Sequence, residues 1–353
     1  GRGALVVRES DFNPERILLD DSLRSLPVAT VGDWFDQPIV GILDYSFGNY
    51  KIQPLSRLTV KAGGLTPEVA RPATTEELTI VSYNVENLDA RDDEERFEQL
   101  AVHLVNNLGT PDIVVLVEVQ DGDGPLDSGL VDGAATYQRV VEAVEHVGGP
   151  MYDFREIAPE NNRDGGEVGG NIRVGFLFRV DRVQFVDRVG GDAMTPVTVI
   201  GGPDGAHLSI SPGRVDPQSP AFVDSRKPLV GEFLWGEQRL IVIANHFNSK
   251  SGDTALYGDF QPPILLSETQ RIQQATTVNR FVADVLAVDP EAWVVVAGDL
   301  NDFQFSMPVR VLKGEILTDL IETLPPQEQY TYLFEGNAQV LDHVLVSPAL
   351  QRV

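Results

Sequence analysis

The chain has 353 residues, with 53 acidic against 27 basic side chains, a net charge of −26 and no cysteine. That length supports a full core, as one large domain with a smaller module, and the missing thiols exclude disulfides, zinc–thiolate sites and thiol catalysis. The charge argues against general polyanion binding, although a local basic cleft or bound cations can reverse the sign at a site, and a salt-rich habitat would account for it equally. No apolar run approaches the roughly eighteen residues of a membrane span. No signal peptide is visible and residue 1 is Gly, so the start is expected to be trimmed.

Residues 1–60 read as β-rich, with apolar runs at Ala4–Val7, Arg16–Leu19, Pro38–Leu43 and Tyr50–Val60, and turns after Asp33, Asp44 and Gly48-Asn49. They predict an OB-like or barrel-fragment lead-in module. Residues 61–77, rich in Gly, Pro, Thr and Glu, read as a linker. From residue 78 to 353 the pattern is that of a larger domain. Leu78–Tyr83 predicts a strand, and residues 93–108 a helix with Phe97, Leu100, Ala101, Leu104, Val105 and Leu108 on one face. A strand over Ile113–Val117, a Gly/Asp loop over 120–133 and a helix near 134–147 follow. Ile172–Arg179 is a strand, and 188–227 mostly loop. Leu229–Trp235 and Arg239–Ala244 form a hairpin at Gly236-Glu237. A long helix spans 267–288, and strands over Trp293–Ala297 and Val340–Val346 complete the set. Strands linked partly by helices and partly by hairpins predict a mixed sheet pair covered by helices.

The polar residues cluster where these strands end, which is where α/β proteins build sites. Asp299 and Asn301 follow one buried strand; their spacing suits a metal- or water-binding carboxylate beside a phosphate-holding amide, or simply a turn. Glu118 ends another strand, as a metal ligand or a solvated loop acid. His246, Asn248 and Lys250 follow a third. An acid- and Asn-rich rim with little histidine suggests a hard cation such as Mg²⁺. Arg173 and Arg226 enter strands, as phosphate clamps or as surface charges. The Asp121-Gly122-Asp123-Gly124 loop is a further candidate for a structural Ca²⁺, although it lacks an EF-hand's remaining ligands. His343 and Asp342, adjacent on a strand, should face opposite ways.

In this order, Tyr83-Asn84-Val85-Glu86-Asn87, Glu118 after its strand, Ile172-Arg173-Val174-Gly175-Phe176-Leu177, Asn245-His246-Phe247-Asn248-Ser249-Lys250, Gly298-Asp299-Leu300-Asn301-Asp302-Phe303 and Leu341-Asp342-His343-Val344-Leu345-Val346 resemble the endonuclease/exonuclease/phosphatase superfamily. The wording is most similar to bacterial secreted nucleases, as is Asp44-Tyr45-Ser46-Phe47-Gly48-Asn49-Tyr50 in the lead-in. The resemblance implies a two-sheet, four-layer α/β sandwich that hydrolyses phosphodiesters with Mg²⁺, Mn²⁺ being an alternative. It implies an extracellular enzyme acting on nucleic acid, DNA first, with no membrane and no protein partner inferable. By motif, Glu118 would bind the metal with Asn84 in support, Glu86 near it, and Asp342 in the metal and histidine network. Asp299 would orient the attacking water, Asn301 would hold the phosphate, and His246 would face a phosphate oxygen or protonate the leaving oxygen. Arg173, Arg226, Asn248 and Lys250 would bind substrate phosphate. The family's closing Ser-Asp-His triplet is absent from these residues, so a fragment is expected. Two alternatives stand beside the nuclease: a phosphatase or phosphodiesterase on a small or lipid phosphate ester, and a catalytically impaired binding module.

Overall fold

Alternation along the buried strands decides the architecture. The computed structural model describes residues 3–13 and 15–353, so Gly1, Arg2 and Pro14 of the expected lead-in lie outside the described residues. Contacts divide the chain into two units. One comprises residues 1–67, 249–269 and 321–341, the other 68–248, 270–320 and 342–353.

The larger unit holds two sheets. One runs Ile80–Leu88, Ile113–Val119, Arg173–Arg179, Tyr152–Glu156 in spatial order, its first pair parallel and the others antiparallel. The other runs Gln184–Phe185, Leu229–Trp235, Gln238–His246, Trp293–Asp299, Asp342–Val346, Thr318–Asp319, with Gly213–Arg214 paired to Leu229–Trp235. Within it, Gln238–His246 and Trp293–Asp299 are parallel. Helix Glu268–Val288 lies between them in the chain, supplying the crossover that a parallel pair needs.

Successive strand residues point to opposite faces, and both faces of each sheet are apolar. Ile113, Val115, Val117, Phe176 and Phe178 pack between the sheets against Leu240, Val242, Ala244, Val295 and Ala297. The intervening Val114 and Leu116 meet Phe97, Val140 and Val144 of helices Glu94–Val102 and Ala134–His146. On the far side, Ile241, Ile243, Val294 and Val296 meet Ala275, Val278 and Val282 of Glu268–Val288, with Val309 and Leu312 of helix Met307–Lys313. The result is a four-layer helix–sheet–sheet–helix sandwich. Full burial of a Val or Leu side chain is worth about 1.5–3 kcal/mol. A one-residue slip would exchange the two faces of a strand, so these patterns pin the register and with it the position of every residue at the strand ends.

The smaller unit is a set of short sheets. The hairpin Gly41–Ser46/Asn49–Pro54 carries Leu18–Leu19 parallel to its second strand. Leu5–Val6 pairs parallel with Asn337–Gln339, which pairs antiparallel with Tyr332–Phe334. None of these sheets closes into a barrel among the described residues.

Candidate active site

Three strands of the second sheet bring their ends into one row. His246 is the register partner of Asp299 across the parallel pair, and Asp299 that of Asp342 across the antiparallel pair. Adjacent strands lie about 4.7–4.9 Å apart, so an imidazole and two carboxylates share one rung. The opposing sheet contributes Asn84, whose Nδ2 donates to Glu118 Oε1 at 3.0 Å and to Asp299 Oδ2 at 3.3 Å. Ligand atoms of Glu118, His246 and Asp299 all lie within 4.8 Å of one another, and among the described residues they form the one such cluster of three.

Irregular backbone aims these side chains. The register between the first two strands shifts between Asn84 and Leu88, where Glu86 and Asn87 take φ of 54° and 58°; Glu118 takes φ of 66°. Bulges of this kind re-aim side chains at a sheet's rim. Gly298 sits at φ 138°, and a Cβ there would fall 1.9 Å from the Asn245 carbonyl oxygen, so only glycine lets the two parallel strands close beside Asp299. Beyond it, the Asn301 N–H donates to Asp299 Oδ1 at 2.7 Å and Asn301 Nδ2 to the Phe247 carbonyl at 3.2 Å. The same carbonyl accepts Arg226 Nη2 at 2.7 Å.

Burial and crowding of like charge set the electrostatics. Burial, and then the neighbouring Asp342, push the Asp299 carboxyl up to about 7, against the opposing hydrogen bonds from Asn301 and Asn84. Burial also raises Asp342, although Ser82 Oγ donates to its Oδ1 at 2.7 Å. Burial, with the Arg226 cation adding to it, holds the His246 imidazole well below its usual range. Arg226 is itself lowered by burial, against the pull of Glu118 and Asp299. Burial thus favours the neutral imidazole at His246, which offers a hydrogen bond to a phosphate oxygen.

The donor set fits a divalent cation. Two carboxylates converge with an imidazole, the buried His246 Nδ1 has no hydrogen-bond partner, and the neighbouring Asp342 and Glu118 add like charge beside Asp299. Oxygen donors suit Mg²⁺, and the imidazole widens the choice to Mn²⁺.

The remaining sequence candidates divide. Arg226, Asn301 and Asp342 join the cluster through the contacts above. Ser82, which sequence reasoning passed over, lies two residues before Asn84 on the same strand face, a spacing that could have found it. Glu86 is exposed in the bulge, its backbone carbonyl taking Arg96, and its carboxyl is not in the cluster. Arg173 departs from expectation. It is 2% exposed, and its guanidinium donates to the Val131 and Asn171 carbonyls and pairs with Glu156 at 3.3 Å. It braces loop backbone from inside, which leaves it no face for substrate phosphate. Asn248 is held through its backbone N–H by Gln274. Lys250 belongs to the smaller unit, where its carbonyl closes a turn with the Asp253 N–H. In the candidate Ca²⁺ loop the Asp121 carboxylate is occupied by the Asp123 and Gly124 N–H groups and Asn171 Nδ2, whereas Asp123 Oδ1 is buried without a hydrogen-bond partner. His343 points away from Asp342, bonded to Asp319 Oδ2 at 2.7 Å and the Asp302 carbonyl at 2.9 Å.

Comparison with known proteins gives two family matches. Residues 81–353 match the model of the Endonuclease/Exonuclease/phosphatase family, and residues 1–62 match a domain of unknown function (DUF8508). No curated protein matches the chain. Similar solved structures include D. rerio TDP2 complexed with single-strand DNA product, at 20% identity over 78% of this chain and 85% of that chain, TM-score 0.45. A Bacteroides thetaiotaomicron mannosyl-6-phosphatase aligns at 15% identity over 77% and 86%, TM-score 0.44. The human Nocturnin catalytic domain with bound sulfate anion aligns at 13% identity over 77% and 83%, TM-score 0.43.

Proposed function

The chain belongs to the Endonuclease/Exonuclease/phosphatase family, and from that premise we propose that it is a divalent-cation-dependent phosphodiesterase cleaving nucleic acid, DNA first. The observation that carries the reading is the convergence of Glu118, His246 and Asp299, bridged by Asn84. Glu118, Asp299 and His246 would hold the cation, with Asn84 fixing the two carboxylates. A bound cation would polarise a phosphoryl oxygen and offset its charge. Asp299, oriented by Asn84 and the Asn301 N–H, would align the attacking water and accept its proton. His246 donates a hydrogen bond as the neutral imidazole, and Arg226 supplies positive charge beside Glu118 and Asp299. Phosphoryl transfer needs positioning and charge neutralisation above all, and these residues supply both. The proposal carries an extracellular location with it, checked by comparing activity in culture supernatant and lysate.

The test incubates the protein with supercoiled plasmid, RNA, a chromogenic phosphodiester and a phosphomonoester, each with Mg²⁺, Mn²⁺, Ca²⁺ or chelator. Nicking that needs the cation and is lost in Glu118→Gln supports the reading. Hydrolysis of the monoester alone would replace it with a phosphatase, and full activity in chelator would remove the cation.

A further inference from the structure

Helix Glu268–Val288 presents two polar residues on its buried face, one turn apart. Arg271 and Gln274 are both 0% exposed. Gln274 Oε1 accepts the Asn248 N–H at 2.9 Å, and its Nε2 donates to Ser225 Oγ at 2.8 Å. Arg271 Nε donates to Asp302 Oδ2 at 2.8 Å, and its Nη1 reaches the Asn248 carbonyl at 3.4 Å. One helical face thus holds both polar backbone atoms of Asn248, as residues three apart on a helix are neighbours.

Each of the three segments held adjoins a residue of the site. Ser225 precedes Arg226, Asp302 follows Asn301, and Asn248 follows Phe247. The Phe247 carbonyl accepts both Arg226 Nη2 and Asn301 Nδ2, so the direction of that carbonyl decides where a guanidinium and an amide stand beside Asp299. Packing alone does not require this arrangement. A buried ion pair is on average no more stabilising than apolar residues of the same volume, and the rest of the helix's buried face from Ala275 onward is apolar.

We propose that Arg271 and Gln274 are positioning residues, locking the Asn248 peptide so that the Phe247 carbonyl fixes Arg226 and Asn301 against substrate phosphate. This rests on the hydrolase reading above. Neither residue touches the reacting atoms; they act through the segment between them.

The test compares Gln274→Leu, Gln274→Glu and Arg271→Lys. Three readings are taken: kcat on the chromogenic phosphodiester, thermal midpoint, and amide hydrogen exchange of the peptide covering 246–249. Gln274→Leu strands the Asn248 N–H. Exchange there should rise at least about tenfold and kcat fall about 10–100-fold, the usual effect of removing a supporting partner. Gln274→Glu keeps an acceptor for the Asn248 N–H and an oxygen for the Ser225 hydroxyl, and should recover both protection and rate. Arg271→Lys retains the charge opposite Asp302 but not the fork, so kcat should fall while the protein stays folded. Unchanged exchange in Gln274→Leu overturns the proposal, as does a kcat loss that tracks the thermal midpoint alone or is equal in Gln274→Leu and Gln274→Glu. If the unaltered protein hydrolyses no phosphodiester, the hydrolase reading fails separately; exchange at 246–249 still decides whether the clamp exists.

Discussion

Replacing Asp299 by Asn should stabilise the chelator-treated protein above neutral pH, and the size of the gain follows from the site. Burial and Asp342 lift the Asp299 carboxyl from 3.8 to about 7. The folded protein therefore holds a proton that the unfolded chain releases between these values, so stability falls as pH rises from about 4 to about 7 and then levels off. Three pH units at about 1.4 kcal/mol each is a penalty of roughly 4 kcal/mol at pH 8. Asn removes the charge and still accepts the Asn301 N–H, but it presents an N–H₂ to Asn84 Nδ2. That lost acceptor costs about 1–3 kcal/mol. The net effect of Asp299→Asn is a gain of about 1–3 kcal/mol at pH 8, a few degrees in thermal midpoint, which turns into a loss of about 1–3 kcal/mol towards pH 4, where the proton penalty is gone and the lost acceptor remains. Divalent cation should reverse the order: at a hundred times its Kd a ligand adds about 2.7 kcal/mol, to the unaltered protein and far less to the variant. The assay is thermal unfolding of both proteins from pH 4 to 8, with chelator and with Mn²⁺. A difference between them that is flat across pH in chelator, or a cation shift equal in both, would refute the reasoning.

Arg226→Met should lower cleavage about 10²–10³-fold, as removal of a donor aimed at developing charge does, and reduce the salt dependence of DNA binding by one phosphate contact; filter binding across a salt series measures the second effect. The His343–Asp319 pair is buried, and although burial works against the imidazolium, Asp319 and the Asp302 carbonyl outweigh it and raise the His343 pKa above 6.5. Its contribution is full below the unfolded pKa near 6.5 and is lost as pH rises through the folded value. Asp319→Asn should therefore cost about 3–5 kcal/mol at pH 6 and less at pH 9, by denaturant titration at each pH. Gly298→Ala meets both a positive φ and the Asn245 carbonyl; it should destabilise the protein by several kcal/mol, beyond the ordinary cost of a backbone mismatch of about 1–3 kcal/mol, and displace Asp299, seen as lost cleavage in whatever fraction stays folded.

The sandwich was legible because its strands are buried on both faces and read as unbroken apolar runs: Ile113–Val119 and Trp293–Asp299 show this most clearly. Tyr152–Glu156 escaped, since Asp153 and Arg155 interrupt its pattern on the sheet's edge. Helix Met307–Lys313 escaped because seven residues beginning near a proline show too little periodicity. The helix expected over 93–108 ends at Val102 and continues as a π-helical turn, His103–Asn107. At the site, Asn84, Glu118, His246 and Asp299 were legible as polar residues ending apolar strands. Arg173 was misread because its guanidinium takes two backbone carbonyls, that of Val131 from a distant loop and that of Asn171 just before its own strand, and backbone acceptors leave no mark in composition. Arg271 and Gln274 were hidden likewise. The apolar periodicity of their helix begins at Ile272, a residue only half-buried, whereas its two polar neighbours are fully buried.

The net charge of −26 and a phosphate-binding site are reconciled over a few ångströms. Glu118, Asp299 and Asp342 place three carboxyl groups at one set of strand ends, with Arg226 the cation that acts on two of them. Left alone, such a group takes up protons, as the raised Asp299 and Asp342 show. It repels phosphate to the extent that it does not. A divalent cation removes both problems in one step, because the charge that holds the carboxylates ionised is also the charge that a phosphoryl oxygen meets. The neutral His246 then has a reason: an imidazolium there would compete with the cation for the same carboxylates, and burial beside Arg226 prevents it. What the fold must supply is rigidity. The shared rung of His246, Asp299 and Asp342 supplies it on one side, and the carbonyl of Phe247 supplies it on the other, where Arg226 and Asn301 converge.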